Sequence, residues 1–270
     1  MNRKNLAVLL IIFTAVLGLS FSPVSADNDK SGNNSQDGPP QIDGIYDVPG
    51  RPDLKVRVFV HQVKPAKPGK PEPISNEVCG LSDNNSPTDL VAYAGWKLPS
   101  AINYYLNLAS VPASVGSANF AAIAENSFDA WSGAAGVSAS LAGETSLARA
   151  VRDNQWIIAW GNTTALGVTY IWYNSITEEV VELDTILNKK YFWKWSDPAS
   201  ASWSSDPICA YSNAYDAQNI LTHEIGHWFG LDDHYAAVYA DHTMYGYGSK
   251  QETKKDTPTA GDIGAIDNIY

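Results

Sequence analysis

Apolar and polar positions along the chain fall into three regimes. Leu6 to Leu19 is an apolar run broken only by Thr14 and Gly18, with Arg3-Lys4 before it and Val24-Ser25-Ala26 after it. Basic, apolar and small residues in that order predict a secretory signal peptide over residues 1–26. The run is shorter than the roughly 20 residues that span a bilayer. Asp27 to Pro40 is polar and turn-rich without any period, which predicts an unstructured arm. Leu54 to Val63 then alternates, placing Val56, Val58 and Val60 on one face of a strand. Closely spaced prolines from Lys64 to Pro73 predict a stiff, extended spacer. Residues 27–78 thus form an extended arm with one strand and a Pro-rich linker. A lone strand cannot bury itself, so it must dock on the main domain, pair with another chain, or serve as a removable pro-segment.

From Cys79 to Tyr270 the periods alternate between helix and strand, which predicts one α/β domain of the α+β kind. Ser117–Ser132 puts Phe120, Ile123, Ala124, Phe128 and Trp131 on one helical face, with Ser117 as N-cap and Gly133 as stop. Strands are predicted at 103–108, 137–141, 155–160, 167–173 and 180–188. Ala214–Phe229 reads as a second helix closed by Gly230. Gly261–Tyr270 reads as a third, with Ile263, Ile266 and Ile269 facing inward.

Composition narrows the function. Of 270 residues, 29 are acidic and 18 basic, a net charge of −11 that disfavours a phosphate-tracking nucleic-acid binder. An apolar content of 44% suits a globular chain. No segment after the signal peptide is long and apolar enough for a membrane, so the expected product is a free, secreted, monomeric protein. Its two cysteines, Cys79 and Cys209, are expected to pair as a disulfide in an oxidising compartment.

The second helix carries the chemistry. His223-Glu224-Ile225-Gly226-His227 is an H-E-x-x-H motif. Histidines four apart on a helix share a face and can converge on one cation, while Glu224, rotated by about 100°, can reach a water beside it. The longer run is HEIGHWFGLDDH, where Gly230 can turn the chain back and deliver a third ligand. Asp233 is the favoured residue, with His234 as the alternative and His242 as an outsider.

These residues, with Thr243-Met244-Tyr245 and the closing Asp262-Ile263-Gly264-Ala265-Ile266, resemble the metzincin clan of zinc endopeptidases, and its matrixin branch most. Trp96-Lys97-Leu98-Pro99 with Asn103-Tyr104-Tyr105 resembles the branch's first strand. The resemblance implies a twisted mixed sheet, an active-site helix, a C-terminal helix, and a zinc held by His223, His227 and Asp233. It makes Glu224 the general base acting on protein or peptide substrates, and Met244 an apolar floor beneath the metal. It also makes Gly167, Val168, Thr169, Tyr170 and Ile171 the edge strand on which an extended substrate pairs.

Two departures stand out: Asp233 replaces the usual third His, and no His lies between His61 and His223 to build a second, structural zinc site. Asp83 to Asp89 could instead hold calcium. Cys79-Gly80-Leu81-Ser82-Asp83 partly resembles a cysteine switch that caps the zinc, a competing use of Cys79. Glu252 is a weaker third-ligand candidate, and a non-catalytic extracellular binding or adhesion module that kept its zinc site is the alternative function. The Trp-rich stretch Tyr191–Trp203 could rim a cleft, dock a partner or form a satellite core.

Overall fold

The computed structural model describes residues 38–65, 76–197, 199 and 208–270. The signal-peptide expectation, the arm up to residue 37 and most of the proline-rich spacer lie outside them. The main sheet joins β1 (Gly44–Val48), β2 (Arg51–Val63), β4 (Ala101–Leu106), β5 (Ser138–Glu144), β6 (Ile157–Gly161), β7 (Gly167–Asn174), β8 (Val180–Asn188) and the short β12 (Tyr247–Gly248). Its order is β1-β2-β7-β8-β6-β4-β5, with β12 pairing on β2. The β1–β2, β2–β7 and β7–β8 pairs are antiparallel, and β8–β6, β6–β4 and β4–β5 are parallel, so the sheet is mixed. Helices α1 (Phe120–Ala135), α2 (Ala217–Trp228) and α3 (Ala260–Ile269) complete an α+β architecture.

The predicted face of α1 is the buried one: Phe120, Ile123, Ala124, Phe128 and Trp131 all lie in the main core. The helix runs past Gly133 and stops at Gly136, whose left-handed φ of 62° lets its N–H close on Ser132 O at 2.9 Å. Helix α2 starts three residues later than expected, because Tyr215 and Asp216 first pair as β11 (Tyr215–Asp216) with β9 (Trp193–Lys194). Asp216 then caps it by accepting from Asn219 N at 3.0 Å. All twelve α2 residues are buried, so the helix runs through the middle of the molecule. On α3, Ala265 and Ile266 are buried, while Ile263 and Ile269 are half-buried.

The boundary expected at residue 78 is not a boundary of the fold. Strand β2 docks on the main domain, pairing with β7 from Leu54↔Asn174 to His61↔Gly167. Its predicted valine face, Val56, Val58 and Val60, packs with Ile157, Val168, Tyr170, Trp172 and Ile186 on the sheet face away from α2. Phe59 points the other way, into the main core. The same pairing corrects the expectation for residues 167–171. In this structure β7 is not an edge, because its second flank is filled by β2.

Cys79 and Cys209 form a disulfide between β3 (Glu77–Cys79) and β10 (Cys209–Tyr211), which excludes the use of Cys79 as a free metal cap here. In the described part of the Trp-rich stretch, Trp193 belongs to the core, Tyr191 and Trp195 are half-buried, and Phe192 is exposed. Trp193 is fully buried, edge-on to Trp160, and donates from Nε1 to Asn188 O at 2.7 Å. Trp203 lies outside the described residues. No helix among the described residues is long and apolar enough to cross a membrane.

Candidate metal centre

Helical spacing brings His223 and His227 to one face of α2, and Gly230 then reverses the chain. Its φ of 93° and its contact with Trp96 O leave no room for a side chain. Leu231 N closes on Gly226 O at 3.1 Å, and Asp233 follows back over the helix. Asp233 Oδ1 lies 3.2 Å from His223 Nε2 and 3.7 Å from His227 Nε2. Ligands about 2.0–2.1 Å from one tetrahedral cation sit about 3.3 Å from each other, so these spacings suit a shared ion. Each ring is turned by its other nitrogen: His223 Nδ1 bonds Thr243 O at 2.6 Å and His227 Nδ1 bonds Leu231 O at 2.9 Å. Carbonyls only accept, so both Nδ1 atoms carry the proton and both Nε2 lone pairs are free for a metal. Asp233 is oriented likewise, with Oδ2 accepting from Tyr235 Oη at 3.2 Å and Oδ1 left unpaired.

Five buried polar atoms without a hydrogen-bond partner gather here: His223 Nε2, His227 Nε2, Asp233 Oδ1, Glu224 Oε1 and His61 Nδ1. A buried polar group without a partner costs about 1–3 kcal/mol, and one shared cation would satisfy His223 Nε2, His227 Nε2 and Asp233 Oδ1 together. The ligand atoms of His223, His227 and Asp233 lie within 4.8 Å of one another, as do those of His61, His223 and Glu224. The residues present therefore fit a divalent ion. Burial pushes His227 down to about 3 and His223 well below the usual imidazole range, which keeps both rings neutral and ligand-competent.

The alternatives are employed elsewhere. His234 Nε2 accepts from Ala92 N at 2.8 Å, and its ring packs on Tyr239. His242 bonds Asp89 O at 2.8 Å, and Glu252 accepts from Ser249 N at 3.0 Å. Among the described residues, the Asp83–Asp89 loop takes part in no group of three converging His, Cys, Asp or Glu ligand atoms. Met244 is fully buried, and a Cβ on Gly226 would meet its Cε at 3.1 Å, so the glycine of the motif makes room for this side chain. Asp262, in the capping box of α3, accepts from Thr243 N at 2.9 Å and so ties that loop to the last helix.

Glu224 is held by contacts that sequence reasoning missed. Trp228 Nε1 donates to Thr185 Oγ1 at 2.9 Å, and the Thr185 and Thr169 hydroxyls meet at 2.7 Å. Thr169 Oγ1 in turn lies 2.5 Å from Glu224 Oε2. Thr169 gives its one hydroxyl proton to the Glu224 carboxylate, so Thr185 is the donor to Thr169, and Trp228 Nε1 donates to Thr185 at the far end. Gly167 lets β7 approach, since a Cβ there would lie 3.0 Å from Glu224 Cδ. Burial raises the Glu224 carboxyl to about 8, with the Thr169 bond opposing the rise. Only the alternation of β7, which puts Gly167 and Thr169 on one face, hinted at this arrangement.

His61 was also missed. Its ring lies 3.9 Å from that of His223, and Nδ1 is 3.4 Å from Glu224 Oε1. Two residues earlier, Phe59 stacks on His227 at 3.7 Å and 5°, with the Arg57 guanidinium over its other face at 4.0 Å. Arg57 is paired with Asp43 at 2.9 Å and Asp232 at 3.3 Å.

No protein-family model matches the chain, and no curated protein matches its sequence.

Proposed function

We propose that this chain is a secreted zinc-dependent endopeptidase of the metzincin kind. The observation that carries the reading is the convergence of three unpaired ligand atoms, from His223, His227 and Asp233, beside an unpaired carboxylate oxygen of Glu224. Three protein ligands leave a tetrahedral ion one open position, the mark of a catalytic rather than a structural site. The resemblance of the motif, its glycine turn and Met244 to metzincins points the same way. The signal-like N-terminus and the disulfide suit an oxidising compartment.

When bound, zinc would supply Lewis acidity toward a peptide carbonyl and toward water. Glu224 then takes a proton from the attacking water and returns it to the leaving amine. The Thr169–Thr185–Trp228 relay and the close approach of Gly167 hold that carboxylate in place. Asp233 brings one negative charge to the ligand set. His223 and His227 stay neutral because burial disfavours their charged forms.

The test pairs zinc content with hydrolysis of casein and of an internally quenched peptide, in the intact chain and after a cut engineered between Pro65 and Asn76. One zinc per chain is expected. Glu224→Gln should keep the metal and lose hydrolysis, whereas Asp233→Ala should lose both. A chain that binds zinc but cuts nothing in either form is instead the extracellular binding module.

A further inference from the structure

Strand β2 carries His61 to Glu224, with Nδ1 3.4 Å from Oε1. It runs antiparallel to β7 along residues 54–61, and its last residues, Gln62 and Val63, pair in parallel with Tyr247 and Gly248 of β12. The backbone is gripped from both sides: Leu166 N donates to His61 O at 2.9 Å, Gln62 N to Gly246 O at 3.1 Å, and Lys64 N to Gly248 O at 2.9 Å. Strand β1 joins the sheet only through β2, so residues 44–63 form one hairpin, held by β7 along residues 54–61 and by β12 at residues 62–63. The disulfide at Cys79 anchors the chain just beyond the spacer, independently of that hairpin.

The His61 side chain is fully buried beside the candidate metal centre. A Cβ on Gly248 would meet Leu166, Ile220 and His61 together, and His223 and Glu224 close another side. The floor is a buried lysine. Lys255 Nζ lies 3.2 Å from His61 Nε2 and donates to Tyr245 O. An ammonium only donates, so Nε2 of His61 is the acceptor, and its Nδ1 proton faces Glu224. A fully buried lysine is uncommon and costs stability unless it is paired. Its charge also faces the carboxylates of Glu252, Asp233 and Glu224, while its backbone N–H, bonded to Asn219 Oδ1 at 2.8 Å, needs no particular side chain.

We infer that the space filled by His61 is the peptide-binding pocket of the groove, that Lys255 determines its specificity, and that β2 is a tethered, exchangeable occupant. The ligand that replaces β2 is an extended peptide with a hydrogen-bond-accepting side chain, imidazole, carboxamide or carboxylate, at the position of His61. An aliphatic side chain there would leave the Lys255 ammonium short of an acceptor. The identity of the ligand as a peptide rests on the endopeptidase reading.

The experiment uses the full, zinc-loaded Glu224→Gln chain, cut at an engineered protease site between Pro65 and Asn76. Labelled synthetic peptides of residues 51–63, with His, Gln or Leu at position 61, are titrated onto it by fluorescence anisotropy. The His and Gln peptides are expected to displace the cut segment and to bind about tenfold or more tightly than the Leu peptide, the penalty for one buried donor left unpaired. In Lys255→Met the order should reverse. Failure of any peptide to exchange, equal binding of the Leu peptide, or an unchanged order in Lys255→Met would overturn the inference. The peptide series on unsubstituted Lys255 decides even if Lys255→Met does not fold. Binding needs no hydrolysis, so the expected order in a chain whose Glu224 parent cuts nothing would sink the endopeptidase reading and leave the pocket standing. Hydrolysis without the order would do the opposite.

Discussion

Gly167→Ala places a single methyl group against the proposed general base. The backbone of Gly167 lies outside the left-handed region, so alanine brings no torsional strain there. The new Cβ would sit 3.0 Å from Glu224 Cδ and 3.3 Å from Cγ, and closer still to Oε1. Ordinary contact begins near 3.4 Å, so the carboxylate must retreat by roughly 0.5–1 Å. It cannot do so freely, because Oε2 is held 2.5 Å from Thr169 Oγ1 by the relay. Either that bond lengthens or the carboxylate turns away from the metal side. A displacement of this size at a reacting group costs about 100-fold in rate, and overpacking of this kind costs about 1–3 kcal/mol of stability. None of His223, His227 and Asp233 is among the atoms met, so zinc content should stay at one per chain. The assay is kcat on a quenched peptide with the cut, zinc-loaded chain, together with metal content and urea unfolding. Gly133→Ala is the control, a methyl added to α1 where nothing lies within 4 Å, which should stabilise by up to about 1 kcal/mol and leave kcat alone. Wild-type kcat in folded, zinc-loaded Gly167→Ala would refute the claim that this approach positions Glu224.

Thr185→Val removes the middle of the relay and leaves Trp228 Nε1 buried without its acceptor, for about 1–3 kcal/mol of stability. It should also lower kcat while KM and zinc content hold; an unchanged kcat would mean the relay is structural only. His61→Leu tests a pH effect in the metal-free chain. Burial holds the folded-state imidazole well below its ordinary value, so on acidification below about pH 6.5 only the unfolded chain takes up that proton. The wild type should therefore lose stability relative to His61→Leu by up to about 1.4 kcal/mol per pH unit as the pH falls, and parallel urea-midpoint profiles would contradict this. Cys79→Ser with Cys209→Ser removes a crosslink spanning 130 residues. Loop entropy puts the loss at about 4–5 kcal/mol as an upper figure, read by urea unfolding, and an unchanged midpoint would show that the β3–β10 pairing holds without it.

The features legible in the sequence are those that a few neighbouring residues decide. The buried face of α1, the span of β8, the H-E-x-x-H face of α2 and the turn at Gly230 follow from helical or strand periods and from one glycine's freedom, all local. Asp233 was favoured over His234 by counting from that turn. The tertiary structure brings its Oδ1 to the two histidines and occupies His234 with Ala92 N. Alternation in Leu54–Val63 likewise gave the two faces of a strand but not its neighbour. Its partner β7 lies more than a hundred residues away, and nothing in a period of two names it. That long-range choice set β2 on β7, turned an expected edge into an interior strand, and carried Phe59 and His61 to the metal face. It also buried Lys255, which the sequence shows only as one lysine among several in a polar loop. Local periods thus placed the ligands on their elements, and packing between distant segments decided what stands opposite them.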